Sequence, residues 1–109
     1  EGVRRGRITA ERYVDVTSTA AAKAFGLYPE RGVIREGSLA DIMLLDPNLV
    51  RIVDAADDPS NSDYTPFQDW AVTGWPIMTI RRGEIVYEDG QVTGQVGSGR
   101  PAIRQQWES

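Results

Sequence analysis

The sequence contains no histidine and no cysteine among its 109 residues. Histidine is the usual general base beside a serine or cysteine nucleophile, and cysteine supplies thiolate ligands and disulfides. Their absence argues against a hydrolytic triad, a thiolate metal site and a disulfide framework on these residues. We therefore expect the reacting groups of any larger protein to lie outside this chain. The lack of cysteine also favours a cytoplasmic location.

Clustered basic residues and long apolar runs are also scarce. The formal net charge is -4, and phosphate-binding surfaces need clustered lysine and arginine, so we expect no nucleic-acid partner. No apolar run approaches the roughly 20 residues that a membrane-spanning helix needs, so we expect no membrane partner. The opening residues, EGVRRGRI, lack the apolar region of a signal peptide and do not begin with methionine. We therefore expect a segment of a longer protein.

Two short helices are predicted near the N-terminus. Thr9 can cap the first helix, over residues 10–16. The hydroxyl residues 17–19 offer a second cap before an alanine-rich helix over residues 20–25. Gly26 follows in the position where a left-handed residue commonly ends a helix. These patterns predict two separate helices that lie too close together to form a βαβ unit.

Strands and tight turns are predicted for most of the remaining chain. Residues 40–45, which contain the apolar run IMLL, predict a buried strand that ends at Pro47, because proline cannot donate to a strand ladder. Residues 49–53 predict another strand, and a polar loop follows it. Arg82-Gly83 and Asp89-Gly90 then lie between strand-like runs, which is the pattern of two hairpins. We expect about five or six short strands in total.

Three features could suggest chemistry, and each has a simpler interpretation. Lys23 is the only lysine and lies on the alanine-rich helix, where a solvated side chain is expected. Residues 54–63 hold four aspartates without the spacing of an EF-hand, which favours a solvated loop over a calcium site. The glycine-rich residues 94–100 are not followed by a helix, which favours a surface arm over a phosphate cradle.

Aromatic residues in the second half of the chain leave two interpretations open. They could form a subunit contact, since tryptophan and tyrosine are enriched at interface hot spots, or they could pack in a core. The residues concerned are Tyr64, Phe67, Trp70 and Trp75. No pair of carboxylates stands out for glycoside chemistry. We assign no catalytic, cofactor-binding or metal-binding residue to this chain.

Several short segments occur in an order that is typical of one enzyme family. They are EGVRRGRI, STAAAKAFGLYP, GSLADI, DP, DYTPF, GWP, RGEIV and GSGR, in chain order. Together they resemble the C-terminal region of cyclic amidohydrolases of the hydantoinase/dihydropyrimidinase group, with allantoinase and dihydroorotase as relatives. One departure is visible, since Ala20 and Ala21 stand where the family usually has Asn-Pro. Proline in the first helical turn is favoured but not required, so we expect a small effect on stability.

The resemblance implies an α+β fragment that belongs to two domains of a larger enzyme. Residues 1–30 would supply the last helices of a (β/α)8 barrel, residues 31–93 part of a flanking β-sandwich, and residues 94–109 a C-terminal arm. The family's binuclear zinc, or another divalent metal, would be held by a His-x-His pair, a carboxylated lysine, two further histidines and an aspartate. All of these would lie upstream of Glu1, and Lys23 is not in the context of the metal-binding lysine.

The resemblance also implies the partners and the reaction. The metals would activate a hydroxide that attacks the carbonyl of a small cyclic amide such as a hydantoin or dihydropyrimidine. Partners would be the remainder of the amidohydrolase chain and further copies in a dimer or tetramer, while the chain alone would be inactive. Two alternatives stay open: a non-catalytic assembly protein on the same scaffold, and a self-standing β-rich binding module.

Overall fold

A computed structural model describes residues 1–105 of the chain. Its N-terminal part is one continuous helical segment: α1 (Ala10–Val14), a π-helical turn (Asp15–Thr19) and α2 (Ala20–Ala24). The predicted cap of α1 is confirmed, because the Thr9 hydroxyl oxygen accepts a hydrogen bond from the Arg12 backbone N–H at 3.1 Å. The segment before α1 turns back on itself through backbone hydrogen bonds.

The prediction of a second capping site at residues 17–19 is wrong. The Thr17 hydroxyl instead donates to the Tyr13 carbonyl at 2.7 Å, and the Thr19 hydroxyl donates to the Gly32 carbonyl at 2.7 Å. Thr19 has helical backbone angles and no side-chain capping bond. Hydroxyls on a helix can bond back to a carbonyl of the preceding turn, which leaves the helix unbroken. The two predicted helices are therefore joined by a wider helical turn.

The predicted helix end at Gly26 is confirmed. Gly26 has a φ of +72°, and the Leu27 N–H donates to the Ala22 carbonyl at 2.8 Å. This pattern satisfies carbonyls that the helix end would otherwise leave without partners. The chain then folds back under α2, where a Cβ built on Gly32 would lie only 2.5 Å from the Cβ of Ala22. Only a residue without a side chain fits at this approach.

The rest of the described chain forms one antiparallel sheet with the strand order β1-β2-β3-β4. The strands are β1 (Ile42–Ile52), β2 (Ala71–Arg81), β3 (Glu84–Glu88) and β4 (Gln91–Val92), with a 3-10 turn (Ala55–Asp57) in the long loop. Both predicted hairpins are confirmed. Their central residues, Arg82, Gly83, Asp89 and Gly90, all have positive φ, as a type I′ turn requires.

Pro47 does not end the first strand, so the prediction of a break there is wrong. Residues 40–45 and 49–53 contribute to one strand, β1, whose pairing with β2 shifts between Asp46 and Val50. Proline is tolerated at a bulge because no ladder hydrogen bond is demanded of its nitrogen there. Because these two predicted strands are one strand, the described residues contain four strands instead of five or six.

The sheet has no helix packed against either face within residues 1–105. Ala22 is the only buried apolar residue described, at 7% exposure, while Met43 is 49% and Leu44 43% exposed. Successive side chains of a strand point to opposite faces, so apolar surface is open on both sides of the sheet. Among the described helices, none is long and apolar enough to cross a membrane.

The close approach of Gly32 to α2 predicts an unequal effect of two alanine substitutions. Gly32 has a φ of +86° and Gly37 a φ of +87°, but only Gly32 has a neighbour where the new Cβ would lie. We expect Gly37→Ala to lower the free energy of unfolding by about 1–2 kcal/mol through backbone strain alone. Gly32→Ala should lower it by about 2–5 kcal/mol, because overpacking adds to the same strain.

Urea unfolding of the complete polypeptide that contains this chain measures both changes. Gly37→Ala is the matched control for the positive φ. Equal losses of stability in the two variants would contradict the described contact between Gly32 and Ala22.

Candidate functional site

Asp41 lies directly before β1, and its carboxylate contacts both the loop after α2 and the β2–β3 hairpin. Its Oδ2 accepts a hydrogen bond from Nε of Arg31 at 3.0 Å, and its Oδ1 accepts one from the Arg82 backbone N–H at 2.8 Å. The side chains of Arg31 and Asp41 are 23% and 30% exposed. This shielding makes the pair stronger than a typical surface ion pair. The loop after α2 is thereby fixed to the β2–β3 hairpin.

A second connection runs through the C-terminal arm. Arg81 donates from Nη2 to the Ser98 hydroxyl oxygen at 2.6 Å, and Arg82 donates from Nη2 to the Ser98 carbonyl at 2.8 Å. The Ser98 hydroxyl in turn donates to the Gln95 carbonyl at 2.6 Å. At the other end of the arm, the Gln105 N–H donates to the Gly26 carbonyl at 2.9 Å.

One face of the sheet carries an open groove of about 750 Å³. Ile52, Trp75, Tyr87 and Val92 contribute apolar lining, and carboxylates such as that of Asp58 lie beside them. An apolar surface with acidic groups beside it can receive apolar side chains. The groove lining has no histidine, and the Asp54 and Asp58 side chains in it accept hydrogen bonds from the backbone.

The features that could have suggested chemistry have structural roles. The Lys23 amino group lies 4.8 Å from the centroid of the Tyr28 ring, which is a cation–π distance. In the acidic loop, the side chains of Asp54 and Asp58 accept hydrogen bonds from the backbone N–H groups of Ala56 and Ser60. These are local Asx turns. Within residues 1–105, no group of three or more acidic residues is placed to hold a metal ion.

The aromatic residues do not form one patch. Phe67 and Trp70 pack edge to face with ring centroids 5.4 Å apart, whereas Trp75 lines the groove beside Tyr87. Tyr64 is 70% exposed and lies in the loop. The first pair therefore stabilises the end of the long loop, where the Trp70 carbonyl accepts from the Val53 N–H.

The structural roles of Asp41 and Ser98 were not predicted from the sequence. Asp41 lies in residues 40–45, for which a strand was predicted, and Ser98 in residues 94–100, for which a surface arm was predicted. A signal for Asp41 was present, since a lone acidic residue stands directly before the apolar run of β1. No local signal marked Ser98, because its partners lie 16 and 17 positions away in the chain.

Comparison with known proteins agrees with the resemblance. The model of the amidohydrolase family matches residues 2–86, most of the chain. The chain belongs to the amidohydrolase family. It is 43% identical over 100 residues to D-hydantoinase from Geobacillus stearothermophilus, a match that covers 92% of this chain and 21% of that protein. It is 40% identical over 108 residues to L-hydantoinase from Paenarthrobacter aurescens, covering 99% of this chain and 24% of that protein.

Solved structures of a dihydropyrimidinase and a D-hydantoinase have the same fold over the region that this chain covers. Dihydropyrimidinase from Brevibacillus agri NCHU1002 superimposes with a TM-score of 0.93 at 40% identity, covering 99% of this chain and 23% of that one. D-Hydantoinase from Bacillus sp. AR9 superimposes with a TM-score of 0.93 at 42% identity, covering 99% and 24%. The family and the α+β class are thus confirmed. The chain spans less than a quarter of the length of these relatives.

Asp41 gives a test of how this amidohydrolase segment is held together. We expect Asp41→Ala to lower the free energy of unfolding by about 1–3 kcal/mol, because it leaves the Arg82 N–H and the Arg31 guanidinium without their acceptor. Asp41→Asn should cost less than Asp41→Ala, since its amide oxygen can still accept from Arg82. Urea unfolding of the complete polypeptide at low and high salt measures both. Identical losses for the two variants would contradict the double role of this carboxylate.

Proposed function

We propose that this chain is the C-terminal segment of a metal-dependent cyclic amidohydrolase of the hydantoinase/dihydropyrimidinase type. The reaction would be hydrolysis of a C–N bond in a small cyclic amide. The observation that carries the proposal is the agreement between two measures, 43% identity to a D-hydantoinase and a TM-score of 0.93 against a dihydropyrimidinase. Both measures cover more than nine-tenths of this chain.

Within that enzyme, we assign structural roles to the parts of the chain. Residues 1–30 would provide the last helices of a barrel, residues 31–93 part of a β-sandwich, and residues 94–109 an arm. The last four residues of this arm, 106–109, lie outside the described residues. The open apolar faces of the sheet support this assignment, because a sheet with two uncovered apolar faces needs further layers for stability.

The residues present do not fit a metal centre. The sequence has no histidine, and the described carboxylates form turns and ion pairs instead of a cluster. The binuclear zinc that we propose for the whole enzyme would therefore be held by other parts of the polypeptide. The segment contributes to the reaction only through the position that it gives to neighbouring structure. A cytoplasmic location and assembly into a dimer or tetramer belong to the same proposal.

The test compares the isolated chain with the complete polypeptide that contains it. With zinc added, we expect the isolated chain to open neither hydantoin nor dihydrouracil, since it has no histidine and its described carboxylates form no metal-binding cluster. The complete polypeptide should open at least one of these rings and lose that activity when its metal is chelated. Absorbance of the ring follows turnover, and re-addition of zinc is the control for chelation. Ring opening by the isolated chain at a comparable rate would refute the proposal.

The exposed apolar sheet allows a second test, which asks whether the chain is a self-standing binding module. We expect the isolated chain to self-associate and to bind a dye for apolar surfaces, because Met43, Leu44 and Leu45 are all more than two-fifths exposed. Size-exclusion chromatography and circular dichroism measure association and folding. A matched variant, Leu44→Lys, should associate less. A monomeric chain with a cooperative unfolding transition would instead favour a self-standing binding module.

The residues that precede this segment distinguish the two alternatives, a non-catalytic assembly protein and an enzyme. A His-x-His pair at the end of a first barrel strand would favour the enzyme, since these are side chains that divalent metals bind. Its replacement by other residues would favour the assembly protein.

A further inference from the structure

The helical segment and the sheet meet only through loops in residues 1–105. No helix packs against a strand, so their relative position is not fixed by an interface of packed elements. The Asp41 carboxylate provides one connection, from the loop after α2 to the β2–β3 hairpin. The C-terminal arm, residues 94–105, provides another on a separate path. The hydrogen bonds that hold the sheet end of the arm differ from the one described at its helix end.

The sheet end of the arm is held by several groups. The N–H groups of Thr93 and Gly94 both donate to the Val86 carbonyl, at 2.9 and 3.2 Å. Farther along, Ser98 receives one hydrogen bond from each of the guanidinium groups of Arg81 and Arg82. Hydrogen bonds from an ionised donor are stronger than neutral ones, and Arg81 and Ser98 are half-buried.

The helix end of the arm depends on a close backbone approach. The Gln105 N–H donates to the Gly26 carbonyl at 2.9 Å, and this is a neutral bond between two backbone groups. A Cβ built on Gly26 would lie 2.7 Å from the Gln105 carbonyl oxygen. Contact at this end therefore requires glycine at residue 26 for a reason separate from ending the helix.

We propose that residues 94–105 form a strap that fastens the end of α2 to the sheet, with Ser98 and Gly26 as its attachment points. Within residues 1–105, the Gly26 end has one neutral hydrogen bond, which is weaker than the two guanidinium-donated bonds at Ser98, so the strap opens first at Gly26. Gly99 lies between Ser98 and Gln105, and its lack of a side chain allows the free end to swing. Opening releases the end of the helical segment while the sheet stays intact.

Hydrogen exchange of backbone amides in the complete polypeptide tests the strap. Gly26→Ala should raise the exchange rate of the Gln105 amide, whose described hydrogen bond goes to Gly26, by about tenfold or more, leaving the amides of β2 and β3 unchanged. Gly6→Ala is the matched control, because Gly6 has a similar φ of +69° and nothing within 4 Å of the built Cβ. It should leave the arm unchanged. Equal exchange of the arm in both variants would overturn the proposal.

Substitutions at Ser98 test the other attachment point without adding a side chain near the helix end. Ser98→Ala removes the hydroxyl that accepts from Arg81 and donates to Gln95, so exchange should rise at residues 98 and 105, the two amides of the arm with described hydrogen bonds. Ser98→Thr keeps the hydroxyl and should restore protection of the arm. The exchange rates of the sheet amides report whether each variant is folded. If Gly26→Ala does not fold, the comparison of Ser98→Ala with Ser98→Thr tests the strap in its place. An arm that exchanges at the rate of an unfolded chain in the unsubstituted protein would also overturn the strap.

Discussion

The arrangement of the described chain depends on the hydrogen bonds and the ion pair that the Asp41 carboxylate makes. Two groups from distant parts of the sequence meet on its two oxygens, the Arg31 guanidinium and the Arg82 N–H. The bond to Arg82 fixes the start of β1 against the first hairpin, and the ion pair fixes the loop that returns from α2. Because no described helix packs on the sheet, these polar contacts and the hydrogen bonds of the C-terminal arm are what connect the helical segment to the sheet.

The small hydrophobic core of the described residues is consistent with the fact that this chain matches only part of the length of its relatives. The chain matches amidohydrolases over more than nine-tenths of its own length but over less than a quarter of theirs. Apolar side chains are exposed on both faces of its sheet, and others, such as Phe25 and Ile34, are exposed outside the sheet. Such exposure is what elementary physics predicts for a part whose hydrophobic burial depends on structure elsewhere in the protein.

Local chemistry allowed the hairpins and the end of the helical segment to be predicted from sequence. Arg82-Gly83, Asp89-Gly90 and Gly26 each require a backbone conformation that few residues adopt, so the residue type specifies the structure. The continuity of β1 through Pro47 was not predictable in this way, because it depends on how β2 shifts its register around the proline. The roles of Asp41 and Ser98 were hidden for the same reason, since their partners are distant in sequence.

The irregularity of β1 at Pro47 has a consequence for strand pairing between molecules. Within the described residues β1 pairs with β2 alone, so its other edge presents backbone N–H and C=O groups over a long apolar strand. The pairing with β2 shifts between Leu44 and Leu45 and again between Asp46 and Val50, and Pro47 has no N–H to donate. These irregularities divide β1 into short regular stretches, so a foreign strand at its other edge would not find one continuous ladder. The residue that was expected to end the strand thus limits how far an unrelated chain can extend the sheet.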